Sequence, residues 1–148
     1  MSKLEAWRDI LFRLLFSTIF IGLGGEHLVS DELIQNMMPT WVPYPRMASV
    51  LAGFILICGG LAIISGVGLK YAAIVLGLFV TGVNICVHLP ALFHIPEYIS
   101  QDDKWLWVVL QRSNFVKNIC LLGVCIHLWS YKVGPVNLSN ILHKLKKQ

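Results

Sequence analysis

The sequence predicts an all-α integral membrane protein, folded as an antiparallel four-helix bundle. Three observations predict it. Of 148 residues, 56% are hydrophobic and only 14% are charged, where a soluble domain carries about 25% charge. Four apolar stretches, at about 8–28, 47–65, 71–90 and 105–131, each approach the roughly 20 residues that a bilayer-crossing helix needs. Their basic flanks also segregate. Lys3, Arg8, Lys70, Lys132 and the tail lysines fall on one side of the spans, and Arg46 and Lys104 on the other. Positive flanks stay cytoplasmic, so both termini are expected there. The length suits one domain.

Ser2 and Glu5 have the spacing of a capping box, which starts the first helix near Lys3. No small-x-small cleavage pattern follows, and the apolar run outlasts a signal h-region, so this stretch is expected to be a retained span. On a helical wheel Thr18, Gly22 and Glu26 share a stripe, with Gly25 beside it. Small residues admit a neighbouring helix, so Glu26 is expected to face the bundle. His27 points about 100° away, toward a different neighbour.

Ser30 is placed to cap a short helix over Asp31 and Glu32. Pro39, Pro43 and Pro45 then forbid regular helix. Trp41, Pro43 and Tyr44 make this loop either an interfacial anchor or a lid over the outer mouth. The second span offers Ala48, Ala52, Gly53, Gly59 and Gly60 as packing faces. The link GVGLK is so short that the second and third spans must be antiparallel neighbours. In the third, Ala73, Gly77, Thr81, Asn84 and His88 form one stripe, small within and polar without. A loop broken by Pro90 and Pro96 leads into the fourth span.

That last span, WLWVVLQRSNFVKNICLLGVCIHLW, is interrupted by Gln111, Arg112, Asn114, Lys117 and Asn118. Each polar group at such depth costs several kcal/mol without a partner. Gln111, Asn114, Lys117 and Asn118 share a face with Cys125, whereas Arg112 points elsewhere and can snorkel to the headgroups. Trp105 and Trp107 mark its outer end, Trp129 and Tyr131 its inner end. Beyond it, residues 136–148 place Leu138, Ile141, Leu142 and Leu145 on one face with Lys144, Lys146 and Lys147 nearby, the pattern of an amphipathic interfacial tail.

Counting about 1.5 Å per residue from the inner boundaries sets Glu26, His88 and Gln111 at a common depth of roughly 27 Å. Asn84 and Asn114 lie somewhat lower, and Lys117 and Asn118 near the midplane. Intramembrane ionisable groups mark functional sites by default. The candidate ligand-binding set is Glu26, His27, Asn84, His88, Gln111, Asn114, Lys117 and Asn118, with Lys117 as the inward cation facing Glu26. A wholly structural reading, in which these groups hold the helices in register, competes with it. No catalytic residue is assigned.

Several classes fall away. The basic residues sit at span ends rather than among aromatics, so nucleic acid is not an expected partner. Cys58, Cys86, Cys120 and Cys125 are scattered through apolar spans and act as small hydrophobes. His27, His88 and His94 are the nearest approach to a metal or haem ligand set, but their spacing matches none and Lys117 opposes a cation, so no metal is assigned.

The stretches FIGLGGEHL leading to MMPTWVPYP, LAGFILICGGLAII, GVGLKYAAIVLG, VNICVHLPAL and FVKNICLLG together resemble the DoxX family of small four-span membrane proteins. The resemblance runs from Phe12 to Trp129. It implies a bacterial-type cytoplasmic (inner) membrane protein, in some members the small partner of a quinone-linked or redox-stress complex. The family often carries an acid in its second span, where this chain has Leu56. Three readings follow. The first is a subunit with a quinone-like or small polar ligand in its outer half, at most part of a quinone-linked oxidoreductase. The second is a non-catalytic scaffold for a partner subunit. The third is a small-solute or proton transporter, which a homodimer could build.

Overall fold

The computed structural model describes residues 2–29, 31–39, 41–134, 137, 140 and 143, all helix or connector. Four helices are long: α1 (Lys3–Val29), α3 (Pro45–Ser65), α4 (Leu69–Val83) and α6 (Lys104–Ser130). A short α2 (Asp31–Met37) follows α1. The third long helix extends beyond α4 through a π-helical segment, Asn84–His88, into the single turn α5 (Leu89–Ala91). The residues foreseen for the amphipathic tail, Leu138, Ile141, Leu142, Leu145, Lys144, Lys146 and Lys147, lie outside the described residues. So does the Ser30 cap.

Each end has a local cause. Ser2 Oγ accepts from the Glu5 N–H and Glu5 Oε2 from the Ser2 N–H, the reciprocal bonds of a capping box. Pro45 opens α3 two residues before the expected start, since a proline in the first turn has no donor to lose. Between α3 and α4 the chain turns through Gly66 (φ 69°) and Gly68 (φ 64°), conformations that a side chain disfavours. The π-helical segment precedes Pro90, which offers no N–H to Cys86 and crowds its carbonyl. The Leu89 N–H reaches back five residues to Asn84 O, widening the helix where the proline would clash. No such interruption of the third span was foreseen from the sequence.

Contacts fix the directions. The start of α1 meets the end of α3, where Arg13 Nη1 donates to Ile64 O at 2.7 Å. The end of α1 meets the start of α3, where His27 Nδ1 lies 3.1 Å from Ser49 Oγ. Likewise α4 and α6 are antiparallel, with His88 against Gln111 and Gly77 beside Cys125. The start of α1, the α3–α4 turn and the end of α6 therefore share one end of the molecule, here the proximal end. The α2 segment and the start of α6 form the distal end. Phe20, Leu56, Ile63, Leu76, Val80, Leu121 and Leu128 fill the core between them.

Among the described residues two helices, Pro45–Ser65 and Leu69–Ala91, are long and apolar enough to cross a membrane, against four expected. Charged side chains, with the amides of Gln111, Asn114 and Asn118 in α6, make the others more polar than this pair. The first half of α1 carries Lys3, Glu5, Arg8, Asp9 and Arg13, and α6 carries Lys104, Arg112 and Lys117.

The packing face of α1 differs from expectation. Thr18, Gly22 and Glu26 are exposed, and a Cβ on Gly22 or Gly25 would meet nothing within 4 Å. Instead Arg13, Ser17, Phe20 and Gly24 turn inward. A Cβ on Gly24 would come within 2.9 Å of the Gly53 carbonyl oxygen, and one on Gly53 within 2.9 Å of the Gly24 oxygen. The two backbones cross there with no room for a side chain. Which glycine of Gly-Gly-Glu lies at the crossing decides where Glu26 points, because neighbouring positions differ by about 100°.

Candidate functional site

The distal half of the molecule holds a polar seam between the π-helical segment and α6. His88 Nδ1 lies 2.7 Å from Gln111 Oε1, and Gln111 is 0% exposed. With the amide oxygen toward the ring, Nδ1 carries the proton and Nε2 keeps the lone pair; with the amide reversed, Nδ1 accepts and Nε2 carries the proton. One helical turn lower, Asn84 Nδ2 donates to Phe115 O at 3.3 Å. Asn118 is buried on the same face of α6. Lys117 Nζ donates to Asn114 Oδ1 at 2.8 Å within its own helix. Arg112 is exposed.

Three buried atoms in this seam have no partner among the described residues: Asn84 Oδ1, Trp107 Nε1 and Gln111 Nε2. Each forfeits about 1–3 kcal/mol if left dry and unbonded. In either orientation of its amide, one end of Gln111 bonds His88 and the other does not. The seam thus presents donors and an acceptor that the chain itself does not use.

Above it lies a cavity of about 470 Å3. Met37, Met38, Trp41, Pro90, His94 and Trp107 are among the residues that line it, whereas His88 and Gln111 do not. Tyr98 braces it, donating its hydroxyl to Asn36 O at 3.0 Å and meeting the Trp107 ring edge-on at 6.5 Å. Trp107, expected at the membrane surface, is 8% exposed because Tyr98 and the following loop cover it. Trp41 overhangs the cavity while 69% exposed. Pro43 and Tyr44 do not line it. Tyr44 is held at φ 51° before Pro45, turning the chain into α3 instead.

Not all of the expected set converges. Asn84, His88, Gln111, Asn114, Lys117 and Asn118 lie along one interface. His27 lies on another, between α1 and α3: Ser49 Oγ donates to His27 O at 3.0 Å and accepts from the ring. Glu26 is exposed on α1, and among the described residues it forms no ion pair with Lys117, which turns to Asn114. The expected acid–base pair across the bundle is corrected accordingly. Among the described residues, no three His, Cys, Asp or Glu side chains gather as metal ligands.

The proximal end carries what sequence reasoning missed. Arg13, 2% exposed, pairs with Asp9 at 3.0 Å, and Tyr131 donates to the other Asp9 oxygen. An acid and a base four residues apart inside an apolar run was the available signal. The burial of Ser49 and Trp107 had no signal in the local sequence, because each is covered by a residue from another segment, His27 and Tyr98.

No curated protein and no solved structure matched the chain. The family model for DoxX matches residues 9–89, from the buried acid of α1 to the end of the π-helical segment. That span is more than half of the sequence and takes in the Gly24–Gly53 crossing, the hairpin and one wall of the polar seam, so the chain belongs to the DoxX family.

Proposed function

We propose that this chain is a four-span protein of a cytoplasmic-type membrane that binds a quinone-like ligand in its distal half, as a small subunit of a redox complex. The observation that carries the ligand is the apolar cavity lined by Trp107, whose buried Nε1 has no partner among the described residues, next to the seam that holds Gln111 and His88. A quinone has two carbonyl acceptors on a flat apolar ring, the chemistry such a site would complement. Met37, Met38 and Trp41 would contact the ring, and Trp41 would cover the mouth. His88, with Nε2 free to accept or carry a proton, would stand next to the ligand. Asn84, Asn114, Lys117 and Asn118 would extend the polar path inward. When bound, a quinone would supply two-electron redox chemistry; the residues here would bind it, orient it and manage protons.

Membership in a membrane family supports the lipid setting for α1, α3 and α4, which the matched residues 9–89 include. So do the large apolar side chains that α1 and α6 expose, among them Leu11, Leu15, Val116, Ile119 and Ile126. The basic flanks favour cytoplasmic termini.

A quinone analogue titrated into protein in nanodiscs tests the reading. Gln111→Leu and Trp107→Phe should each weaken binding about fivefold or more, from about 1–3 kcal/mol per lost bond. Unchanged affinity in both variants rejects it.

A second reading, a scaffold for a partner subunit or a second copy, is favoured by the exposed Thr18–Gly22–Glu26 stripe of α1. Gly22 and Gly25 leave open space there for a helix to approach. A complex that survives mild extraction and is lost in Gly22→Leu supports it.

A further inference from the structure

The distal site leaves a second cavity unexplained. It measures about 590 Å3 and opens at the proximal end, between the first turns of α1 and the end of α6. Glu5, Arg8, Asp9, His127, Tyr131 and Lys132 line it. Its acids are already engaged. One Asp9 oxygen accepts from Arg13 and the other from Tyr131, and Glu5 Oε2 accepts from the Ser2 backbone.

Its cations are not. Among the described residues neither Arg8 nor Lys132 makes a hydrogen bond or ion pair. Arg13 cancels the charge of Asp9, so the wall carries Arg8 and Lys132 against Glu5 alone. The His127 ring, tilted against Tyr131 at 5.9 Å, offers a further donor. Two unengaged cations around one concavity suit an anion with several acceptor oxygens.

We infer that this cavity holds a phosphate-bearing anion, supplied by the headgroup of an acidic phospholipid. Three features select the lipid source. The volume lies within the range of organic-ligand pockets, roughly 300–1,000 Å3, and leaves space beyond a bare phosphate. Exposed Trp7 and Trp129 stand at this same end, and Lys70 lies over the Trp129 ring at 5.9 Å, an aromatic and basic belt of the kind found at headgroup level. Phe12 lines the cavity and packs on Tyr131, giving the glycerol and first methylenes an apolar wall. Basic pockets between spanning helices bind acidic headgroups by this chemistry.

The test is native mass spectrometry of the full chain equilibrated with phosphatidylglycerol and phosphatidylcholine, with inorganic phosphate titrated separately by calorimetry. The wild type should retain phosphatidylglycerol preferentially. Arg8→Gln with Lys132→Gln should weaken that retention about thirty-fold, the effect of two cations at the membrane surface. Both side chains are exposed and unpartnered, so helicity by circular dichroism should be unchanged. Lys104→Gln with Arg112→Gln removes equal charge elsewhere and should keep the preference. Undiminished retention in the first variant, or an equal loss in the second, overturns the assignment. Phosphate binding that depends on Arg8 and Lys132, with no preference between the lipids, overturns the lipid source in favour of a soluble phosphate.

Discussion

Tyr131 donates its hydroxyl proton to Asp9 at 2.5 Å, joining the residue after the last long helix to the first helix across 122 positions. Asp9 in turn holds Arg13, and Arg13 reaches Ile64 O at the end of α3. Three chain segments are thereby pinned at the proximal end by a single carboxylate.

Removing that carboxylate should be severe. Asp9→Ala strands a buried guanidinium and should destabilise the protein by about 3–5 kcal/mol, whereas Tyr131→Phe should cost about 2 kcal/mol. Reversible unfolding in mixed micelles measures both. A loss below about 1 kcal/mol for Asp9→Ala would mean that Arg13 finds water in place of its acid.

Glycines two residues apart in α1 should respond oppositely. Gly24→Leu drives a side chain into the Gly53 backbone, 2.9 Å from the position of its first carbon, and should cost about 3 kcal/mol or more. Gly22→Ala enters open space and should leave stability within about 1 kcal/mol of the wild type, on the stabilising side. Equal effects in the two variants would contradict the packing of α1 on α3.

The seam separates the two functional readings. His88→Leu alone leaves Gln111 buried without its partner and should cost about 1–3 kcal/mol. His88→Leu with Gln111→Leu should recover much of that loss, since neither polar partner remains. A ligand-binding role predicts that the double variant, though stable, no longer binds the quinone analogue. A structural role predicts no binding for the wild type to lose.

Trp41→Ala should change stability by less than about 0.5 kcal/mol, because the indole is largely exposed. If Trp41 covers the cavity, ligand dissociation should nevertheless quicken several-fold in stopped-flow measurements. An unchanged rate would leave Trp41 a headgroup anchor.

Much of this architecture was legible in the sequence. The capping box at Ser2, the Gly66–Gly68 hairpin and the Ala73–His88 stripe follow local rules, and local rules held. The polar face of α6 was legible too, because Gln111 and Asn118 stand out against apolar neighbours. The orientation of α1 was not. When every face of a helix is apolar or small, periodicity cannot say which faces a helix and which faces outward, so Gly22 and Gly25 were as plausible at the crossing as Gly24. The Asp9–Arg13 pair hid among charges that read as a span boundary. Trp107 read as a surface marker because nothing local announces that Tyr98 will cover it.

The widening at Asn84–His88 amounts to one residue inserted into an otherwise α-helical rod. The wide turn takes up that residue, so both halves of the rod present one face to α6: below, Gly77 meets Cys125, and above, His88 meets Gln111. Excising Cys86 would shorten the wide turn by its extra residue and leave the upper half facing nearly as it does now, with the imidazole still toward its amide. A one-codon indel at this turn is therefore tolerated by the distal chemistry, whereas the same indel within Leu69–Val83 would rotate everything above it by about 100°.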